Sequence, residues 1–389
     1  MTRSLLALVL ALTVGASASE PSQVLEDFGG APTLPSTVAP RTAPALSTAT
    51  PAVRAARAKG VAWVLANQHA DGGWSSGAHG SDGVQASSDV ATTAFTTLAL
   101  ARDAGGSDRH DVAIARGVDF VLTAVDAAPD GPRLATPVGT QIQYKLGELV
   151  DTHLAALMLG ELAGSLDRGR NSRMDTALDK VLTKVQSAQR ADGSFDGNGW
   201  APVLSTSLAA QSLNQAVALG KVVDEDVISR SDAYQQRMAD TSTGAFDASA
   251  GAGVELYAVA GSLANNKQIT DRTGRYTADA PAAAAAEAVQ AAAVGRIAGD
   301  DGRLMAGFGS IGGEEMLSYM MISDTLAAEG GSEWASWEER IGTYLVGIQN
   351  ADGSWVGHHC ITSRAFTTAG GLMTLSAGDA ARAPAPARG

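Results

Sequence analysis

Gln68-His-Ala-Asp-Gly-Gly-Trp74 is written again as Gln189-Arg-Ala-Asp-Gly-Ser-Phe195 and a third time as Gln349-Asn-Ala-Asp-Gly-Ser-Trp355. Gln, Ala, Asp, Gly and a closing aromatic keep their places in all three. Such self-similarity marks a repeat architecture, in which each unit is one supersecondary element that cannot bury its apolar face alone. The first two copies lie 121 residues apart and the last two 160. One worn unit in the first gap and two in the second give a period of roughly 50–60 residues. The worn copies are recognisable as Asp130-Gly131, Gly244-Ala-Phe246, and Asp301-Gly302 with Gly307-Phe308. That makes six units.

Around each phrase the pattern is the same: an amphipathic helix, the Asp-Gly turn, a loop, then a more apolar helix. The expected pairs are 52–67 with 88–104, 111–125 with 148–162, 173–189 with 205–219, and 226–239 with 254–264. A fifth pair opens at Pro281, a residue suited to a first helical turn, and ends with 314–328. The sixth joins 334–349 to 362–376. The polar tract 265–279 reads as a longer loop. Second helices dense in Ala, Thr, Ser and Leu suit burial on most sides, and first helices bearing Arg54, Lys59, Arg116 and Lys180 suit an outer layer. An open solenoid would need polar end caps, which the sequence lacks. The expected fold is all-α: an α/α toroid of six helical hairpins, an α6/α6 barrel.

In the phrase itself, Asp bonds its own backbone two residues on and Gly takes a positive φ. Gln at the helix end is placed to bridge that end to the turn, where carbonyls are otherwise orphaned. Gln68, Asp71 and Trp74, Gln189, Asp192 and Phe195, and Gln349, Asp352 and Trp355 are therefore read as structural clips.

The ends and the composition bound the function. Arg3, the apolar run 5–14 and Ala16-Ser17-Ala18 form an export signal over 1–18. Residues 19–51 and 377–389, rich in Pro and Ala, read as disordered segments flanking a toroid over 52–376. The protein is expected to be secreted or periplasmic. No later stretch is long and apolar enough to span a bilayer. A net charge of −13 argues against nucleic acid, whose phosphates need basic patches. The one cysteine, Cys360, allows no intramolecular disulfide.

Lys59-Gly60-Val-Ala-Trp63-Val64 leading into Gln68, Asp71-Gly72 and Trp74, and Arg340 to Trp355 with Tyr344 and Gln349, resemble the QW motif of terpenoid cyclases. The resemblance is to the prenyltransferase and squalene-oxidase repeat family, which includes squalene–hopene cyclases and protein prenyltransferase β-subunits. It implies six inner helices within six outer ones around a central cavity. The family's chemistry does not follow it. Triterpene cyclases protonate substrate from an Asp-x-Asp-Asp run, whereas the nearest stretch here is Asp224-Glu-Asp226 followed by Val227. Inner helices offer few aromatic faces for a carbocation: Phe95, Tyr257, Tyr319 and Phe366. For gripping a diphosphate they offer essentially Arg364. The Cys-x-x-Gln of related thioester domains is also missing, since Ile361, Thr362 and Ser363 follow Cys360.

What remains is a polar cluster at one rim. Ala94-Phe-Thr-Thr97 matches Ala365-Phe-Thr-Thr368 at an offset of 271, which sets Asp89 on Cys360 and Ser88 on His359. Prenyltransferases bind zinc at this end, so the resemblance implies a metal set of Asp89, His359 and Cys360, with zinc as the candidate cofactor and His358 beside it. A capped helix start with a buried thiol, or a Cys–His nucleophile, are the alternatives. Asp151 and His153 form a second fragment, roughly 15–17 Å from unit six if neighbouring axes pack at the usual spacing. His69, His79 and His110 are expected at the surface. Glycoside hydrolases and polysaccharide lyases on α/α6 barrels use paired carboxylates, and Asp89, Asp151, Glu255, Glu314, Glu315 and Asp324 are the inner-helix acids. The function expected is binding of an apolar ligand or a protein partner at cavity or rim, with Arg364 and Glu314 among the candidate contacts. Metal-dependent and polysaccharide-processing enzymes are the alternatives.

Overall fold

The computed structural model describes residues 49–195, 198–276 and 280–382. The segment 1–48, on which the expected export signal and most of the Pro-rich stretch fall, lies outside the described residues, as does 383–389. Six outer helices are α1 (Pro51–Ala66), α3 (Asp111–Asp126), α6 (Arg168–Ser187), α8 (Glu225–Gln236), α10 (Ala280–Ala298) and α12 (Gly331–Ile348). Six inner ones are α2 (Val90–Ala104), α5 (Val150–Glu161), α7 (Pro202–Ala218), α9 (Glu255–Tyr276), α11 (Gly313–Glu329) and α13 (Arg364–Ala380). A short helix α4 (Gln141–Leu146) precedes α5. A two-stranded hairpin, β1 (Ala239–Asp240) with β2 (Ala245–Phe246), takes the place of the fourth Asp-Gly turn.

The inner helices pack in the order α2, α5, α7, α9, α11, α13, and α13 packs back on α2. The ring is closed, and the chain is an α/α toroid. Outer helices share contacts with the inner ones and with each other, α12 reaching α1 across the closure. The inner helices are buried nearly all round: Val90 to Leu100 and Val150 to Gly160 are without exposed residues. Trp74, Trp337, Trp355, Phe95, Phe195 and Phe366 are fully buried, each contributing roughly 1.5–3 kcal/mol by leaving water.

The repeated phrase does more than close its own turn. Gln68 Nε2 donates to Gly72 O at 2.8 Å and to Ala113 O on the next outer helix at 2.9 Å. Gln189 does the same to Gly193 O and to Val227 O at 2.8 Å. Gln349 donates to Gly353 O and to Ala56 O, both at 2.8 Å, tying α12 to α1. Asp71, Asp192 and Asp352 each accept from the backbone N–H two residues on. A threonine hydroxyl of the inner helix takes the aromatic's N–H: Thr93 for Trp74, Thr206 for Phe195 and Thr368 for Trp355. The intervening glycine must be glycine. At Gly193 φ is +92° and a Cβ would lie 2.1 Å from Arg230 O.

Where the phrase is worn, other side chains bridge the outer helices. Lys180 and Lys184 of α6 donate to Val125 O and Gly131 O. Gln236 of α8 donates to Ala282 O of α10, and Arg340 of α12 to Ile297 O of α10. All six outer seams thus carry a side-chain-to-carbonyl bond.

Two expectations fail in detail. Over 265–276 the tract is no loop, since α9 continues to Tyr276; residues 277–279 lie outside the described residues. Its polar side chains bond neighbouring helices, Asn265 to Ser207 Oγ, Lys267 to Glu329, and Arg272 to Asn214 and Asp232. The last helix runs to Ala380 rather than 376, where Asp379 pairs with Arg57 of α1.

Candidate functional site

The rim where inner helices begin gathers most of the expected site residues, but not as expected. Asp89 is the N-cap of α2: Oδ1 accepts from Thr92 N at 2.8 Å, and Oδ2 from Ser76 N and Ser76 Oγ at 2.7 and 2.9 Å. Burial pushes its pKa up. Asp151 accepts from Ala91 N at 3.0 Å and Gln143 Nε2 at 2.7 Å, and burial, with the Asp89 charge next, raises it to about 7. His153, two residues on, points the other way along α5. Its Nδ1 meets Ser205 Oγ at 3.2 Å, its ring is edge-on to Phe195, and burial lowers it to about 3. Residues two apart on a helix do not share a face. Asp151 and His153 are not one site.

Glu315 is held from four sides, by Tyr257 OH at 2.5 Å, Gly312 N at 2.9 Å, Phe308 N at 3.1 Å and His359 Nε2 at 3.3 Å. His359 Nε2 also faces Ser310 O at 2.8 Å. Glu314 accepts from Ile361 N at 3.3 Å, and burial, then the Glu315 charge, raises it to about 8. Cys360 is half-buried at φ +49°; burial first and Glu314 next push its thiol up to about 11. His358 is exposed.

The implied zinc set does not fit these residues. Asp89 spends both oxygens on Ser76 and Thr92, His359 serves Glu315 and Ser310, and Cys360 is held against ionising. Among the described residues no group of three or more His, Cys, Asp or Glu side chains is placed to hold a metal ion. The register behind the expectation was displaced by about one helical turn. The hydroxyls in equivalent roles are Thr93 and Thr368, and the N-caps in equivalent roles are Asp89 and Ser363, offsets of 275 and 274 rather than 271.

Arg364 is not inside the ring. It pairs with Asp352 of the turn and lies over the Trp63 ring at 5.2 Å. The interior cations are ones the sequence reading passed over. Lys145 of α4 is buried, its ammonium 4.0 Å from the Trp200 ring centre. Tyr144 and Trp200 remain about half exposed beside a cleft of about 230 Å³. Gln141 of α4, fully buried, accepts from Ser363 N at 3.0 Å and donates to Ser81 O at 3.1 Å, joining unit one to unit six. Of the three expected surface histidines, His79 is exposed and the other two are partly buried. His69 bonds Ser88 and Val84, and His110 bonds Asp103.

At the opposite rim, where inner helices end, lies an open cavity of about 700 Å³, to which all six inner helices contribute. Arg102 of α2 stands in it as a clamp. Its Nε and Nη2 donate to Glu161 of α5 at 2.6 and 2.8 Å, and Nη1 to both oxygens of Asp324 of α11 at 2.8–3.0 Å. Burial disfavours the Arg102 charge, but the two facing carboxylates outweigh it and hold its pKa above the usual value. The rest of the wall is mostly alanine, leucine and glycine, with Ser165, Gln211, Gln215 and Gln268. Gln215 crosses α5 at Gly160 and is spent on the Leu157 carbonyl and Glu161 N–H. The buried Nε2 of Gln211 and Oε1 of Gln268 have no partner among the described residues. This cavity can take up a molecule of small-ligand size, and no residue in it is arranged as a nucleophile–base pair.

No family model matches the chain, and no curated protein does either. Among solved structures it is similar to the type II terpene cyclase MstE from Scytonema in its apo form, at 16% identity. That match covers 84% of this chain and 98% of the other, with a TM-score of 0.37. A variant of the same cyclase in complex with merosterolic acid A is similar at 15% identity, covering 84% and 97%, with a TM-score of 0.36. The closed ring itself rests on the helix packing described above.

Proposed function

We propose that this protein is an exported toroid that binds a largely apolar small molecule in its central cavity, without cyclase or prenyltransferase chemistry. The observation that carries the reading is the cavity of about 700 Å³ walled by all six inner helices. A mostly apolar pocket of that size with a few convergent polar groups is the usual form of a small-molecule site. Against cyclase chemistry stands the absence of an Asp-x-Asp-Asp run. Against diphosphate chemistry stands the one cation of the wall, Arg102, already given to two carboxylates. The same clamp weighs against polysaccharide cleavage, because Glu161 and Asp324 are the carboxylates lining the cavity. Glu255, another inner-helix acid, is taken by Arg296 at 2.7 Å.

The experiment is native mass spectrometry of the secreted protein, followed by denaturing solvent extraction. A co-purifying small molecule lost on denaturation, or a rise in melting temperature with added isoprenoid or lipid, is expected. Neither appearing over a broad panel would sink the reading. Export is tested by N-terminal sequencing of the mature protein, with cleavage expected after Ala18.

A further inference from the structure

We propose that the cleft beside α4 is a second binding site, for a sugar ring of a glycan. It shares no lining residue with the cavity. Five of the chain's six tryptophans are buried, and Trp200 is the exception at 55% exposed. Tyr144, 53% exposed, lies beside it, with ring centres 6.2 Å apart and planes inclined at 41°. Both rings line the cleft of about 230 Å³, together with Arg133, Thr136, Glu148 and Asn198. Single apolar side chains scattered over a surface need no explanation, but large ones gathered in a polar rim mark an interaction site.

The two rings are held in place. Trp200 N donates to Lys145 O at 2.8 Å. The Lys145 ammonium stands 4.0 Å from the Trp200 ring centre and 5.0 Å from that of Tyr144. Tyr144 belongs to α4, whose start is closed by the capping box of Thr140 and Gln143 and whose Gln141 bonds Ser81 and Ser363. The His79 ring meets Tyr144 edge-on at 5.5 Å. Aromatic surface fixed in advance loses little freedom when a ligand arrives.

The surroundings choose the ligand. An ammonium is disfavoured, because the rings already serve the Lys145 cation and a second one would stand against its charge. An anion finds Arg133, the one cation of the lining, already paired with Glu148. A long apolar chain is too large, since the cleft is smaller than the usual site for a drug-sized molecule. A pyranose meets every condition. Its flat C–H face stacks on an aromatic ring. Its neighbouring hydroxyls each donate and accept, and the half-exposed ion pair offers guanidinium N–H groups and carboxylate oxygens side by side. Glu148 is the one acid of the lining among the described residues, whereas glycoside cleavage takes two. The site holds a glycan without cutting it.

The test is acrylamide quenching of tryptophan fluorescence in the full chain, where Trp200 is the exposed tryptophan. The probes are maltotriose, cellotriose, chitotriose and mannotriose, with choline and benzoate as the disfavoured cation and anion. At least one trisaccharide is expected to shield Trp200 saturably, and choline and benzoate are not. Calorimetric affinity for that trisaccharide should fall at least about tenfold in Trp200→Ala. In Glu148→Gln, a half-exposed position whose change leaves both rings in place, it should fall about threefold or more. No shielding by any trisaccharide, or equal shielding by choline or benzoate, overturns the proposal. Unchanged affinity in either variant overturns it too.

Discussion

Gln349 of the last outer helix donates to the Ala56 carbonyl of the first at 2.8 Å, across 293 residues of chain. The same side chain holds its own turn at Gly353. One amide therefore serves both a local turn and the closure of the ring. Gln349→Ala should remove one hydrogen bond from each of two partly buried carbonyls and cost about 1–3 kcal/mol, read from the urea midpoint. A change within about 0.5 kcal/mol, the range of ordinary surface substitutions, would show that the closure does not depend on it.

The turn glycines separate two kinds of strain. Gly193 and Gly131 both have positive φ, +92° and +87°, but a Cβ at Gly193 would strike Arg230 O whereas one at Gly131 meets open space. Gly131→Ala should cost about 1 kcal/mol, the left-handed penalty alone. Gly193→Ala should cost clearly more, because the carbonyl it meets is backbone and cannot move aside. Equal losses in chemical denaturation would refute the steric account.

Glu314 gives the fold a pH dependence. Its pKa is about 8 in the folded chain against an ordinary value of 4.5, with burial the main cause. The folded state holds the proton more firmly than the unfolded one, so stability falls as pH rises from 4.5 to about 8 and is level outside that window. Glu314→Gln cannot ionise. Relative to the parent it should gain stability steadily between pH 5 and 8, by up to about 1.4 kcal/mol per pH unit. A constant difference across that range would contradict the assignment.

Arg102 predicts a coupled pattern. Removing it as Arg102→Leu leaves Glu161 and Asp324 crowded and unpaired, and breaking a buried ion pair this way costs about 3–5 kcal/mol. Since both acids are roughly a third exposed at 27% and 30%, the lower end is expected. Adding Glu161→Gln and Asp324→Asn to Arg102→Leu should recover most of the loss. Absence of recovery in the triple variant would mean that Arg102 acts through packing.

Zinc analysis tests the rejected metal set. Protein purified without chelator should carry well under one zinc per chain, and Cys360→Ser should not change it. Stoichiometric metal lost in Cys360→Ser would restore the site, despite the present commitments of Asp89 and His359.

The sequence disclosed the hairpins and their closure because Gln68, Asp71 and Trp74 recur, and because a clip of this kind is a local device whose residues lie within seven positions. It hid what depends on distant partners. Asn265, Lys267 and Arg272 look like loop residues until Ser207, Glu329 and Asp232 are set opposite them. Arg102 reads as a helix-end cation, and its partners are 59 and 222 residues away. The opposed directions of Asp151 and His153 were legible, since spacing by two on a helix forbids a shared face. The Ala-Phe-Thr-Thr match misled because inner helices made of small residues repeat such fragments by composition, whatever their register.

The six outer seams have a further consequence for the order of the chain. Five are also spanned by covalent connection, while the closure is made only by contacts such as Gln349 at the end of α12 with α1 and, on the inner side, Arg57 of α1 with Asp379 of α13. The ring therefore has no architectural beginning. A linker joining the end of α13 to the start of α1, with new termini opened at the exposed Leu219-Gly220 turn after α7, which does not line the cavity, would give a circular permutant retaining every hairpin, every seam and the cavity.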